Sequence, residues 1–203
     1  EGKLVSGKEY ILRETAAPDG YNVANELKFT VSDTGEVQQV EMIDESTKVS
    51  FSKKSITGTE ELSGAALSVL DQEGNVLESW TSGEEPHLIE AKLKVGETYI
   101  LHEESAPNGY ATAADVEFTV EAGGRVQTVE MIDDTIKVEI SKKAITGGEE
   151  LPGAILQIIE TTTNENGETE EKVVEEWTSG TEAHVLEGKL VSGKEYILRE
   201  TAA

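Results

Sequence analysis

The feature that most constrains this chain is internal repetition. Residues 10–21, Tyr-Ile-Leu-Arg-Glu-Thr-Ala-Ala-Pro-Asp-Gly-Tyr, return at 99–110 as Tyr-Ile-Leu-His-Glu-Glu-Ser-Ala-Pro-Asn-Gly-Tyr, 89 positions later. Met42-Ile43-Asp44 and Met131-Ile132-Asp133 keep that spacing, as do Ser52-Lys53-Lys54 and Ser141-Lys142-Lys143. Trp80-Thr81-Ser82-Gly83 and Trp177-Thr178-Ser179-Gly180 are instead 97 apart. The extra 8 residues (97 less 89) fall in the polar stretch 161–172 around Asn166-Gly167, which reads as a longer hairpin tip. Residues 187–203 are identical to residues 1–17, so the sequence returns to its beginning after 186 positions. A tandem array is the simplest reading. Residues 1–46 are read as the C-terminal part of one unit, 47–135 as a complete unit and 136–203 as the N-terminal part of a further one. The intact protein is then expected to be a longer array.

The units lack a helical period. Two-residue alternation marks Val49 and Phe51, Leu67 and Val69, Val116 to Val120, and Val129 and Met131, and no segment sustains a helical period over three turns. Glu73-Gly74-Asn75, Pro107-Asn108-Gly109 and Gly123-Gly124 supply turn chemistry between these runs. About seven short strands per unit predict an all-β, two-sheet sandwich.

Composition narrows the function classes. The chain has no Cys, which excludes disulfides, thiolate metal sites and a cysteine nucleophile. Seventeen Lys plus Arg stand against 41 Asp plus Glu, a formal net charge of -24. That field repels nucleic acid and anionic membranes. No run reaches the roughly 18 apolar residues of a membrane span, and no signal peptide or lipidation motif is present. His87, His102 and His184 look single and scattered, so they are expected at the surface with no metal. Trp80 and Trp177 are expected to pack at a sheet edge. Asp71-Gln72-Glu73-Gly74-Asn75 lacks the length and closing Glu of a calcium loop.

Strand parity brings out unusual inward charges. Side chains two residues apart on a strand share a face, so Lys53 lies on the side of Val49 and Phe51, and Lys142 on the side of Val138 and Ile140. Tyr99, Leu101 and Glu103 share one face. The copies Tyr10, Leu12 and Glu14, and Tyr196, Leu198 and Glu200, put Arg13 or Arg199 on the other, which reads as the solvent face. Asp133 shares the face of Val129 and Met131, as Asp44 shares that of Val40 and Met42. Each unit thus turns one Lys, one Glu and one Asp inward, where an unpaired charge costs several kcal/mol, so the three are expected to meet. An uncrosslinked ionic cluster, or a lysine that snorkels outward, satisfies the same pattern.

The stretches Phe51-Ser52-Lys53-Lys54, Glu61-Leu62-Ser63-Gly64-Ala65, Glu14 to Tyr21 and Met131-Ile132-Asp133 resemble the CnaB-type, SpaA-like repeats of Gram-positive pilins and adhesins. The resemblance covers residues 47–135 and, in pieces, both partial units. It implies an Ig-like or prealbumin-like Greek-key β-sandwich and a spontaneous isopeptide bond between lysine and Asp, promoted by the glutamate. Carried over, Lys53 is the nucleophile, Asp133 the electrophile and Glu103 the proton-transfer residue. Glu14 and Asp44 occupy the corresponding places in the first partial unit, and Lys142 and Glu200 those in the third. An apolar surrounding favours the uncharged forms that such a reaction needs, and folding supplies a high effective molarity. The reaction needs no cofactor, runs once and makes the protein no enzyme.

The expected function is a structural stalk or spacer repeat of a cell-wall-anchored, extracellular adhesin or pilus-like protein, with neighbouring repeats as its partners. A binding module for a host protein or glycan on the same sandwich is the alternative. Lys142 of one molecule could also be complemented by residues 1–46 of another, joining chains through Asp44, although the duplicated 17-residue segment competes for the same place. Glycosidase chemistry at Glu84-Glu85 is disfavoured, because adjacent strand residues face opposite ways.

Overall fold

A computed structural model describes residues 3–202, and among them every regular element is a β-strand. No helix among the described residues is long and apolar enough to cross a membrane. By compactness the molecule divides into two units: residues up to Lys54 with Glu60–Glu104 and Ala114–Met131, and Ser55–Thr59 with Ser105–Ala113 and residues from Ile132 onward. The division runs through the middle sequence repeat.

The complete repeat contains the seven strands that its turn spacing predicts. These are β3 (Lys48–Ser55), β4 (Ala66–Leu70), β5 (Val76–Thr81), β6 (His87–Glu90), β7 (Thr98–Ser105), β8 (Val116–Thr119) and β9 (Gln127–Asp133). They form two sheets, ordered β6-β3-β9 and β5-β4-β7-β8. The chain changes sheet between β3 and β4, β5 and β6, β6 and β7, and β8 and β9, which gives the Greek-key sandwich. Apolar residues alternating along each strand fill the space between the sheets. Phe51 on β3 meets Phe118 on β8 edge-on at 5.3 Å and Trp80 on β5 at 5.4 Å, with Val49, Leu67, Val69, Leu101, Val129 and Met131 buried as well. Ser68 departs from alternation, being buried although its neighbours Leu67 and Val69 face the core. At the β4–β5 turn the Asp71 carboxylate accepts the amides of Glu73 and Asn75, at 3.0 and 2.8 Å. The acidic pentapeptide is thus a turn-forming cap.

The N-terminal partial repeat keeps β1 (Glu9–Leu12) paired with β2 (Leu27–Thr30). Residues 36–45 form no strand, contrary to the alternation of Val40, Met42 and Asp44. The corresponding β9 pairs with the lysine strand of its own repeat, and among the described residues this partial repeat has no such strand. Lone alternation cannot hold a strand when its backbone groups have no ladder to join.

The C-terminal partial repeat comprises β10 (Lys137–Ile140), β11 (Ile155–Thr163), β12 (Thr169–Thr178), β13 (His184–Glu187) and β14 (Tyr196–Ala202). Sheet β12-β11-β14 covers the two-stranded β10-β13 over a core of Ile158, Leu186 and Leu190, with Ile140, Trp177 and Tyr196 packed against it. The additional residues lengthen the β11–β12 hairpin, which pairs out to Thr163 and Thr169 around a tip at 164–168. Two expectations fail here. The lysine strand stops at Ile140, before Lys142, and Val138 is exposed. Both follow from the absence of a β9 counterpart in this sheet.

Candidate functional site

The site is built outward from β3. Val49, Phe51 and Lys53 point inward together, and Lys53 is 1% exposed. The backbone around Lys53 is fixed on both sides: its amide donates to Glu61 Oε2 at 2.9 Å, and its carbonyl accepts the Leu62 amide at 2.6 Å. The same Glu61 accepts the Ser52 hydroxyl at 2.5 Å, which explains why Ser52 is buried on the nominally outer face. Lys54 turns outward and pairs with Glu130 at 2.5 Å. The ambiguity of two adjacent lysines is settled by these partners, and Lys53 is the inner one.

Across the core, β7 presents Glu103. Lys53 Nζ lies 2.9 Å from Glu103 Oε1, with side-chain exposures of 1% and 0%. Asp133, itself 0% exposed, ends β9, which lies directly beside β3 in the β6-β3-β9 sheet. Its carbonyl accepts the Ile56 amide at 2.8 Å, just past the end of β3. An ion pair this dry is not a source of stability in itself, because removing two charges from water costs about what their attraction returns.

The partial repeats divide the same set between them. In the third, Lys142 Nζ lies 2.8 Å from Glu200 Oε2, with side-chain exposures of 27% and 34%. The Lys142 amide donates to Glu150 Oε2 at 2.9 Å, as the Lys53 amide does to Glu61. In the first, Glu14 and Asp44 stand together, and Glu14 Oε2 accepts the Ala24 amide at 2.7 Å. Partial desolvation, then the neighbouring Glu14 charge and hydrogen bond, hold the Asp44 carboxyl above its ordinary value.

Two features escaped the parity argument. Glu61 and Glu150 support the lysine backbone from a loop, where alternation carries no information, although their spacing of 89 marks them as equivalent. His87 and His184 were expected to be scattered, yet they are 97 apart like the two Trp residues. Each stacks on its Trp, at 4.3 Å for Trp80 and 4.4 Å for Trp177. Each also meets a carboxylate, Glu78 at 2.8 Å and Glu175 at 3.1 Å. The Trp residues do lie on edge strands, β5 and β12.

Comparison with known proteins adds a family. The model of the SpaA prealbumin-like fold domain matches three times, at residues 2–46, 47–135 and 136–203. Among solved structures, the Bacillus anthracis TIE protein aligns over 97% of this chain and 36% of its own, at 24% identity and TM-score 0.49. The chain therefore spans about a third of that protein. A variant of the shaft pilin SpaA from Lactobacillus rhamnosus GG aligns over 77% of this chain and 87% of its own, at 16% identity and TM-score 0.41. A streptococcal ancillary pilin aligns over 98% and 67%, at 18% identity and TM-score 0.40. No curated protein matches.

Proposed function

Because this chain belongs to the SpaA prealbumin-like fold family, we propose that its repeats are structural spacers of an extracellular, cell-wall-anchored adhesin or pilus-like protein, and that the complete repeat locks itself with an isopeptide bond between Lys53 and Asp133. The observation that carries this reading is the Lys53–Glu103 pair, 2.9 Å apart and closed to water, with a fully buried Asp133 at the end of β9, the sheet neighbour of β3. Glu103 takes a proton from the Lys53 ammonium. The freed amine attacks Cγ of the protonated Asp133 carboxyl, and Glu103 polarises the carbonyl oxygen and relays the amine's surplus proton to the departing hydroxyl. One C–N bond forms, one C–O bond breaks, water leaves and Glu103 remains protonated. The groups are consumed, so the chain reacts once and turns over no substrate. The product ties β3 to β9, the first and last strands of the repeat, so tension along the chain meets a covalent bond. Such a tie also restricts the unfolded chain, as a disulfide would, by an amount on the order of a few kcal/mol.

Mass spectrometry of the denatured chain tests this. The expected mass is one water below that of the sequence, with the deficit abolished in Lys53→Ala and Glu103→Ala. In Asp133→Asn the deficit becomes one ammonia, because the leaving group changes. A full-mass chain that is folded by circular dichroism reduces the three residues to an ionic cluster.

The partial repeats support a second reaction. Lys142 and Glu200 form an open half with no carboxylate strand beside them, and Glu14 and Asp44 form the other half. Lys142 of one molecule joins Asp44 of another when residues 1–46 dock in trans. Denaturing electrophoresis after long incubation at high concentration should show dimers and higher ladders, lost in Lys142→Ala. Monomer alone overturns the idea.

A further inference from the structure

The turn Ala-Pro-x-Gly-Tyr occurs at 17–21 and at 106–110, three residues after the site glutamates Glu14 and Glu103. Its glycine faces the following repeat both times. In the first case Gly20 accepts the Thr47 amide at 2.8 Å, Ala91 donates to the Thr47 carbonyl at 3.0 Å, and Asn22 donates to the Glu45 carbonyl at 2.8 Å. In the second, Gly109 accepts the Ile136 amide at 2.9 Å, Gly188 donates to the Ile136 carbonyl at 2.9 Å, and Ala111 donates to the Asp134 carbonyl at 2.9 Å. A side-chain bond repeats as well: Ser46 Oγ to Glu90 at 2.6 Å, and Thr135 Oγ1 to Glu187 at 2.8 Å. Apart from the glycine and the glutamate, the residues differ between the copies while the bonding pattern is retained. Positions 20, 22, 45, 46 and 47 correspond to 109, 111, 134, 135 and 136 at the 89-residue spacing, and 90 and 91 to 187 and 188 at the 97-residue spacing.

Glycine is required at the centre of the pattern for two reasons. Gly20 and Gly109 have φ of +86° and +91°, a region that side chains disfavour. A Cβ on Gly20 would also overlap the Ala91 carbonyl, and one on Gly109 the Gly188 carbonyl. The backbone of the next repeat lies where a side chain would be.

We propose that Ala-Pro-x-Gly-Tyr is the socket of an inter-repeat joint whose fixed occupant is the next repeat of the same chain. The occupant enters by its connector at 45–47 or 134–136 and its turn at 90–91 or 187–188. The joint couples each repeat to its neighbour, so that stability in the array has a nearest-neighbour term in addition to the stability of each sandwich. That the compact units divide inside the middle repeat, and at neither joint, agrees with it. The proposal stands whether or not Lys53 is crosslinked.

Amide hydrogen exchange of the full chain, read residue by residue, tests it with three variants. Gly109→Ala should speed exchange of the Ile136, Gly188 and Ala111 amides at least about tenfold while Leu101 and Ile158 stay protected. Gly20→Ala should do the same at Thr47, Ala91 and Asn22 and leave the second joint as it was. Gly74→Ala is the control, because its φ of +85° carries the same backbone strain with nothing within 4 Å of an added Cβ. It should leave both joints protected. Joint amides that exchange freely in the unaltered chain overturn the socket, as does a loss in Gly74→Ala equal to that in the joint variants. Both results are independent of the mass deficit, so they fail or succeed apart from the crosslink.

Discussion

At the scale of single residues, the buried Lys53–Glu103 pair rests on an unusual support. Lys53 can reach Glu103 only if its backbone stays in register, and the Glu61 carboxylate holds that backbone through the Lys53 amide and the Ser52 hydroxyl. Glu61→Ala leaves a buried amide without its acceptor, a loss of about 1–3 kcal/mol. The urea midpoint should be measured in a Lys53→Ala background, which keeps the backbone amide and removes any crosslink that would mask the change. A midpoint unaltered by Glu61→Ala would show that water replaces the carboxylate without penalty. The inward direction of Lys53, Glu103 and Asp133 is legible in the sequence because parity, helped for Glu103 by the Arg13 and Arg199 copies, places them with Val49, Leu101 and Met131. Glu61 is not legible that way, because a loop side chain that folds back onto a strand follows no period.

At the scale of elements, the edge strands β5 and β12 carry matched clusters. Glu78 accepts from Lys92 at 2.8 Å and meets His87 at 2.8 Å, while Glu175 contacts Lys189 at 2.5 Å and His184 at 3.1 Å. The hydrogen bond from Lys92, and after it that from His87, holds the Glu78 carboxyl below its ordinary value, and Lys189 and His184 do the same for Glu175. A carboxyl lowered by folding contributes stability above its unfolded pKa of about 4.3, and that contribution disappears as pH falls through the lower folded value. Glu78→Gln should therefore cost about 0.5 kcal/mol at pH 7, a partly exposed pair being worth no more, and almost nothing near pH 3. Urea midpoints of the variant and the unaltered chain at the two pH values give the difference. A penalty that persists in acid would assign it to packing of the side-chain stem. The elements also show what parity cannot reach. Residues 40–44 alternate as well as 129–133 do, yet only the second becomes a strand, because strand formation depends on a partner that a local pattern does not reveal.

At the scale of the whole molecule, the 89- and 97-residue spacings pair the equivalent strands of the repeats and place the extra residues in the long β11–β12 hairpin, while the joints are visible only in the structure. The shared segment at the two ends is the most informative part of the repetition. Within the complete repeat, β7 lies between β4 and β8. Among the described residues, its counterpart β1 has only the β8-like neighbour β2, and its counterpart β14 has only the β4-like neighbour β11. One peptide sequence thus occupies two half-furnished berths. The two copies therefore pair through opposite edges of the same backbone.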